Sequence, residues 1–306
     1  MSLDFIIIAG PTASGKTELA EKISEKIPSV IINADSMQVY DYLNILTSSP
    51  KSLNKKKKSY RLYSVLKSNQ KANLGWWIKN AKKEIHNSKK YQLLPIFVGG
   101  TGMYIGSLEN NISDIPEIKK KVKTKVLKIH KKYGNFFFHK KLLKIDPILA
   151  KKINVNDTYR LIRAIEVWAS TGKVMSFWHS KRSSNLAKQP NYLFFVINKK
   201  RKNLYTSIEK RFDTMIKDGL INEVMDFLKM GIPDSHPINK VIGLNHIKNY
   251  IKGNLELEKA VELSKKDTRN YAKRQSTWFR HQPKKPIYLD YEFAENLILE
   301  KLEKYL

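Results

Sequence analysis

Phe5-Ile6-Ile7-Ile8-Ala9-Gly10-Pro11-Thr12-Ala13-Ser14-Gly15-Lys16-Thr17 is the stretch that decides the fold. Its first five residues form a short β-branched apolar run, the pattern of a strand buried on both faces of a parallel sheet. Gly10-x4-Gly15-Lys16-Thr17 then matches the P-loop pattern, and a helical pattern through Leu19, Ala20, Ile23 and Ile27 follows it directly. In that strand–loop–helix context, backbone N–H groups of the loop and the helix N-terminus can wrap a phosphate. Gly10, Thr12, Ala13, Ser14, Gly15, Lys16 and Thr17 are therefore the candidate phosphate-binding set. Lys16 supplies a point charge, and Thr17 a hydroxyl for Mg2+. The motif specifies a diphosphate or triphosphate; it does not specify ATP.

Working outward, Val30-Ile31-Ile32 reads as a second strand. Leu93–Val98 reads as a third and ends at Gly99-Gly100-Thr101-Gly102. Strands separated by helices give a parallel α/β sheet with helices on both faces, and ligands in such sheets sit at the carboxyl ends of strands. Motor ATPases and GTPases usually place an aspartate at the end of another strand to organise the metal. Here no acidic residue directly follows Val98. The carboxylate is Asp35, in Asn33-Ala34-Asp35-Ser36 after the second strand, where acid–base chemistry and metal binding both remain open to it. Thr101, beside three glycines, can approach a phosphate or substrate oxygen closely; an ordinary turn hydroxyl is the alternative.

From about Ile115 the texture changes. Segments 116–133, 136–152 and 156–171 read as helices with basic exposed faces, Asp157 capping the last and Gly172 stopping it. Residues 178–190 read as a polar loop, after which Tyr192–Ile197 returns to strand character. The expected fold is thus an α/β P-loop parallel sheet flanked by helices, built from 1–115 and 191–306, with a basic helical domain inserted at 116–190. The C-terminal part reads as mostly helical, with loop signals near Gly231–Pro237 and Gly253. Lys55–Lys58 reads as an exposed loop.

Composition narrows the function. In 306 residues, 42% hydrophobic content excludes general disorder. No run approaches the ~18 apolar residues of a membrane span, so no membrane partner is expected. Met1-Ser2-Leu3-Asp4 lacks the features of a signal peptide. The absence of cysteine excludes disulfide scaffolds, thiolate zinc sites and cysteine nucleophiles, and fits a cytoplasmic setting. The net charge is +29, and residues 116–202 alone hold 23 Lys/Arg against 4 Asp/Glu. A genome-wide lysine bias would spread charge more evenly, so this concentration points to a polyanionic partner. On α-helical spacing, Lys266, Arg269, Lys273 and Arg280 fall near one stripe of a C-terminal helix, and Leu257, Val261, Tyr271 and Trp278 on another.

Several of these stretches resemble the bacterial tRNA dimethylallyltransferases: Gly10–Thr17 as GPTASGKT, Asp35–Tyr40 as DSMQVY and Val98–Tyr104 as VGGTGMY. Asp157–Val167 (DTYRLIRAIEV), Glu209–Phe212 (EKRF) and Thr268–Arg280 (TRNYAKRQSTWFR) continue the likeness in order over most of the chain. The sequence departs from the family pattern at Asp41-Tyr42, at Thr47-Ser48-Ser49-Pro50, over Ser59–Tyr63 and at Leu244-Asn245.

The resemblance implies transfer of a dimethylallyl group from dimethylallyl diphosphate to N6 of adenosine 37, beside the anticodon of tRNA, with release of diphosphate and with Mg2+ as cofactor. It implies that the P-loop and Arg211 hold diphosphate. Asp35 would be the base for the N6 proton, Thr101 would stand near the bridging oxygen, and Ser36, Met37 and Gln38 would line the adenine pocket. It also places Arg160, Arg163, Lys273, Arg274, Gln275 and Arg280 on stretches that touch the tRNA anticodon stem-loop. Lys123, in the basic insertion, joins that group, and a monomer is expected. Three rivals stand beside this reading. One is an ATP-dependent kinase of a small metabolite with Arg160, Arg163, Arg182 and Arg201 as a lid. The others are an adenylate prenyltransferase, which typically lacks the basic insertion, and a non-catalytic RNA-binding protein.

Overall fold

A computed structural model of the chain describes residues 3–50, 60–67, 69–109, 115–184 and 190–305, without the side chains of 181–184. The Lys55–Lys58 run lies outside the described residues. The strands are β1 (Phe5–Ala9), β2 (Ser29–Asn33), β3 (Tyr60–Arg61), β4 (Leu94–Gly99), β5 (Tyr192–Asn198) and β6 (Ile287–Asp290). The helices begin with α1 (Lys16–Lys26), α2 (Leu74–Lys90) and α3 (Gly102–Glu109). Then come α4 (Lys120–Ile145), α5 (Pro147–Ala150), α6 (Thr158–Thr171) and α7 (Met175–Ser184). The chain continues with α8 (Arg201–Lys217), α9 (Leu220–Lys229), α10 (Leu244–Ile251), α11 (Leu257–His281) and α12 (Ala294–Glu303). The chain divides into two compact units: Met1–Asn110 with Pro190–Leu306, and Asn111–Gln189.

In the first unit six parallel strands run in the order β3-β2-β4-β1-β5-β6. β1 lies between β4 and β5 and is buried along its whole length, as its unbroken apolar run requires. Its side chains alternate between two cores. Ile6 and Ile8 join Leu19, Ile23 and Ile298 on one face; Phe5, Ile7 and Ala9 join Trp77, Phe97 and Phe194 on the other. The register decides where the chemistry sits. Ala9 pairs with Gly99 and with Val196, and Asn33 pairs with Val98. The loops after β1, β2, β4 and β5 therefore leave one edge of the sheet together.

Two strands were not expected: the two-residue β3, and β6, a parallel edge strand in a stretch that read as mostly helical.

The second unit is helical. α4 starts at Lys120, and Gly134 breaks its helical path at φ 70°, ψ −173°, a left-handed conformation that suits glycine. The expected helix over 136–152 ends at Ile145. Asp146 then accepts from the Leu149 N–H and caps the short α5. Asp157 caps α6 through the Arg160 N–H, and Gly172 ends it with φ 68°. Residues 178–184, expected as loop, belong to α7, and 185–189 lie outside the described residues. Phe138, Leu142, Leu161 and Ile165 form this unit's core. No helix among the described residues is long and apolar enough to cross a membrane.

Candidate active site

The P-loop is fixed by close contacts that only glycine allows. A Cβ on Gly10 (φ 156°) would stand 3.0 Å from the Ile197 carbonyl oxygen, and one on Gly15 (φ 93°) 2.3 Å from the Tyr291 ring. α1 begins at Lys16, so its first N–H groups face the loop, the geometry of an anion site. The loop lines a cavity of about 400 Å3 together with Asp35, Gln38, Thr47, Ser48, Lys199, Ser207, Arg211 and Tyr291.

Two buried cations face this cavity. Lys16 donates to the Pro11 carbonyl at 3.1 Å. Burial lowers its pKa to about 8; Asp35 opposes that shift and Arg211 adds to it. Arg211, on α8, donates to the Thr12 hydroxyl at 2.8 Å. Burial lowers its pKa to about 10, again opposed by Asp35. Two cations partly withdrawn from water beside one carboxylate form a site that an incoming polyanion stabilises. The buried Ser14 hydroxyl, which lines the same cavity, has no hydrogen-bond partner among the described residues.

Asp35 is set by its neighbours. Asn33, fully buried at the end of β2, accepts from the Asp35 N–H at 2.7 Å and donates to the Asp35 carbonyl at 2.9 Å and to the Leu62 carbonyl at 3.0 Å. The Asn33 carbonyl in turn accepts from the Trp77 indole at 2.9 Å. One Asp35 carboxylate oxygen accepts from the Met37 N–H at 2.9 Å, an Asx turn that sets the side chain. Thr101 Oγ1 accepts from the Ser36 N–H at 3.0 Å and donates to the Ser36 hydroxyl at 3.3 Å. Gln38 donates to the Thr47 and Ser48 carbonyls at 2.8 and 3.0 Å, which braces that wall of the cavity.

The glycines around Thr101 each answer to a different neighbour. A Cβ on Gly99 would meet the Ala34 backbone at 2.2 Å, one on Gly100 the Gln275 amide at 2.1 Å, and one on Gly102 the Trp278 ring at 2.5 Å. Gln275 departs from the tRNA-contact expectation: on the α11 stretch expected to touch tRNA, its side chain is buried. Its amide donates to the Gly100 carbonyl at 2.8 Å and accepts from the Thr12 N–H at 2.8 Å. It ties the P-loop to the Thr101 loop. α11 docks through Ala260, Ser264, Thr268, Ala272, Gln275 and Phe279, with Val261 and Trp278 of the apolar stripe packed half-buried against the core beside them. Small side chains let the helix approach closely, which leaves Tyr271 and Trp278 at its flanks. Tyr271 stands beside Thr101 and Asp35, and burial raises its pKa, so it stays neutral.

The remaining expected residues lie elsewhere. Lys273, Arg274 and Arg280 are exposed on α11, whereas Arg269 pairs with Glu209 at 2.9 Å. In the helical unit, Arg160 pairs with Asp157 at 3.4 Å and Arg163 with Glu166 at 3.7 Å. Lys123 also acts on Glu166 electrostatically. Asn33, Lys199 and Ser207 were not singled out as site residues from the sequence, and Tyr271 was read only as part of an apolar helix stripe. Lys199 follows the carboxyl end of β5, donates to the Ser207 hydroxyl at 2.8 Å and lines the cavity. The strand-end rule applied to β5 would have found it. Thr17 and Asp35 line the same cavity, a sparse oxygen set that suits Mg2+ shared with diphosphate oxygens and water. No group of three His, Asp or Glu able to hold a metal by itself occurs among the described residues.

The family model described as IPP transferase matches residues 38–282. A tRNA dimethylallyltransferase of Pelagibacter ubique is 43% identical over 275 residues, spanning 90% of this chain and 88% of its own. One from Wolbachia pipientis is 38% identical over 283 residues, spanning 92% and 94%. A crystal structure of the tRNA delta(2)-isopentenylpyrophosphate transferase of Staphylococcus epidermidis superposes with a TM-score of 0.69 at 32% identity, covering 99% of both chains. A eukaryotic dimethylallyltransferase acting on tRNA reaches 0.82 at 24% identity, covering 97% of this chain and 77% of its own, a likeness of fold.

Proposed function

We propose a reaction for this site from one premise: the chain belongs to the IPP transferase family, the tRNA dimethylallyltransferases. It is a prenyltransferase that moves a dimethylallyl group to tRNA. The proposal concerns the donor, the acceptor atom and the residues. Dimethylallyl diphosphate enters the cavity with its diphosphate on the P-loop amides, Lys16 and Arg211. N6 of an adenine beside the anticodon attacks the allylic carbon, the carbon–oxygen bond to diphosphate breaks, and Asp35 takes the N6 proton. The alkylated amine and free diphosphate leave.

An exocyclic amine is a weak nucleophile, so a carboxylate that accepts its proton favours the transition state. Diphosphate departs more easily when its growing charge meets fixed cations, and Lys199 adds a third at the cavity wall. Mg2+, when bound, neutralises diphosphate charge, and the Thr17 hydroxyl would hold it. A base in a folded anticodon loop is turned out to reach such a cavity; Ser36, Met37 and Gln38 line its path. Lys123, Arg160, Arg163, Lys273, Arg274 and Arg280 offer positive charge to the tRNA backbone. The enzyme acts as a monomer in the cytoplasm.

One observation carries the reading: Asp35 acts electrostatically on both buried cations of the P-loop cavity, so a base and a diphosphate clamp share one space. Mass spectrometry of tRNA incubated with the protein and dimethylallyl diphosphate tests it. One C5 unit on an adenosine is expected; ATP consumption with unmodified tRNA would favour the kinase reading.

A further inference from the structure

α4 holds ten lysines and no acidic residue, and three aromatic rings on it stand in solvent. Tyr133, Phe136 and Phe137 are 50%, 75% and 40% exposed, while the next residue, Phe138, is buried. The break at Gly134 separates Tyr133 from the phenylalanines. That break is braced: His130 and the Asn135 side-chain oxygen lie 2.7 Å apart, and the Asn135 amide donates to the Thr158 hydroxyl of α6 at 2.9 Å. The Tyr133 and Phe137 rings stack with centroids 4.8 Å apart and planes at 29°. Lys132 sits 5.2 Å from the Tyr133 centroid. Lys131, Lys132 and Lys140, which flank the aromatic stretch in sequence on α4, are all exposed.

The core of this unit takes Phe138 and includes none of the other three among its members. A stacked Tyr133–Phe137 pair with a third ring, Phe136, exposed on the same turn of chain is an apolar surface of the kind that marks a contact site. The charge selects the occupant. Lysine is depleted at the centre of protein–protein interfaces, whereas nucleic acid offers π-faces for the rings and phosphates for the lysines.

We propose that Tyr133, Phe136 and Phe137 form a platform on which unpaired bases of the RNA substrate stack, while Lys131, Lys132 and Lys140 meet the adjoining phosphates. The inference rests on the RNA substrate class of the proposed function. It adds a base-contact surface apart from the P-loop cavity.

The test uses the full chain without prenyl donor. tRNA affinity of the triple variant Y133S/F136S/F137S is measured by fluorescence anisotropy over a salt series, with inorganic diphosphate affinity and the thermal midpoint alongside. Affinity for tRNA is expected to fall about tenfold or more, the scale of a lost base–aromatic stack. The slope of log affinity against log salt stays at its wild-type value, because stacking releases no counterions. Diphosphate affinity stays unchanged, and F136W/F137W keeps tRNA affinity. Unchanged tRNA affinity in the triple variant overturns the proposal, and so does a flattened salt slope, which would assign the rings to positioning lysines. Loss of binding to phosphatidylserine vesicles with tRNA affinity intact overturns it too. The two readings fail separately: a wild-type protein that adds no C5 unit to tRNA, with the triple variant still losing RNA affinity, removes the transfer chemistry and keeps the platform.

Discussion

Replacing Gln275 separates a structural clamp from an RNA contact. Its amide joins two backbone groups of the site, the Thr12 N–H and the Gly100 carbonyl, each at 2.8 Å. The bond to Gly100 is fully buried, so Gln275→Ala leaves a carbonyl without a partner, at about 1–3 kcal/mol. Thr12 borders the cavity, and water replaces that bond at smaller cost. Lost packing adds to the total, so about 2–4 kcal/mol of folding stability should disappear, read as a lower urea midpoint at constant slope. The P-loop loses its tie to the Thr101 loop, so calorimetric affinity for inorganic diphosphate should fall by about tenfold or more, the equivalent of ~1.4 kcal/mol. tRNA affinity should stay within about twofold, because a side chain buried to 5% exposure with its amide turned inward offers RNA little to touch. Gln275→Glu is the sharper variant. It keeps the acceptor for Thr12 but sets an oxygen against the Gly100 carbonyl and adds negative charge beside the diphosphate, so it should damage donor binding more than alanine does. A Gln275→Ala protein with intact diphosphate affinity and weakened tRNA affinity would refute the clamp, and so would a glutamate variant milder than alanine.

Three further outcomes follow from the site. Lys16, with its pKa lowered to about 8 by burial, carries its proton only below about pH 8 in the empty cavity; bound diphosphate favours the charged form, so affinity is full below that pH and declines as pH rises through it. Calorimetry at pH 9 in buffers of different ionisation enthalpy should register proton uptake on diphosphate binding, and none would remove Lys16 from the clamp. Asp35→Ala should slow single-turnover transfer by ~10²–10⁴-fold with donor and tRNA affinities near wild type; loss of donor affinity that extra Mg2+ restores would make Asp35 a metal-side residue instead. Reversing the charge of Lys119, Lys120, Lys121 and Lys123 together should flatten the salt dependence of tRNA affinity, and an unchanged slope would return these lysines to solvated surface.

The P-loop and Asp35 could be read from the sequence because their signals are local: a strand, a glycine turn and a helix start lie within thirteen residues, and Asp35 stands two residues past β2. β6 could not be read in this way. It is a four-residue edge strand whose partner, β5, ends about ninety residues earlier, and nothing in Ile287–Asp290 alternates for long enough to register. Gln275 failed for another reason. It sits between Arg274 and Ser276 in a basic helix, and only the docking direction of α11 turns its amide inward. That direction follows from the small residues Ala260, Ser264, Thr268 and Ala272, which a search for large apolar residues passes over.

The Gly99–Gly102 stretch shows how motif and packing meet. A sequence reading takes its glycines as room for a substrate oxygen. The structure gives three separate steric reasons: the Ala34 backbone, the Gln275 amide and the Trp278 ring. Ala34 precedes Asp35, and Gln275 holds the P-loop, so the glycines seat Thr101 between the turn that aims the base and the loop that takes the diphosphate. A side chain at Gly99 or Gly100 would push those two apart without touching either ligand. The motif is thus a spacing device for the two halves of the site, and its pattern is legible in the sequence while its cause is not, because each neighbour comes from a different part of the chain.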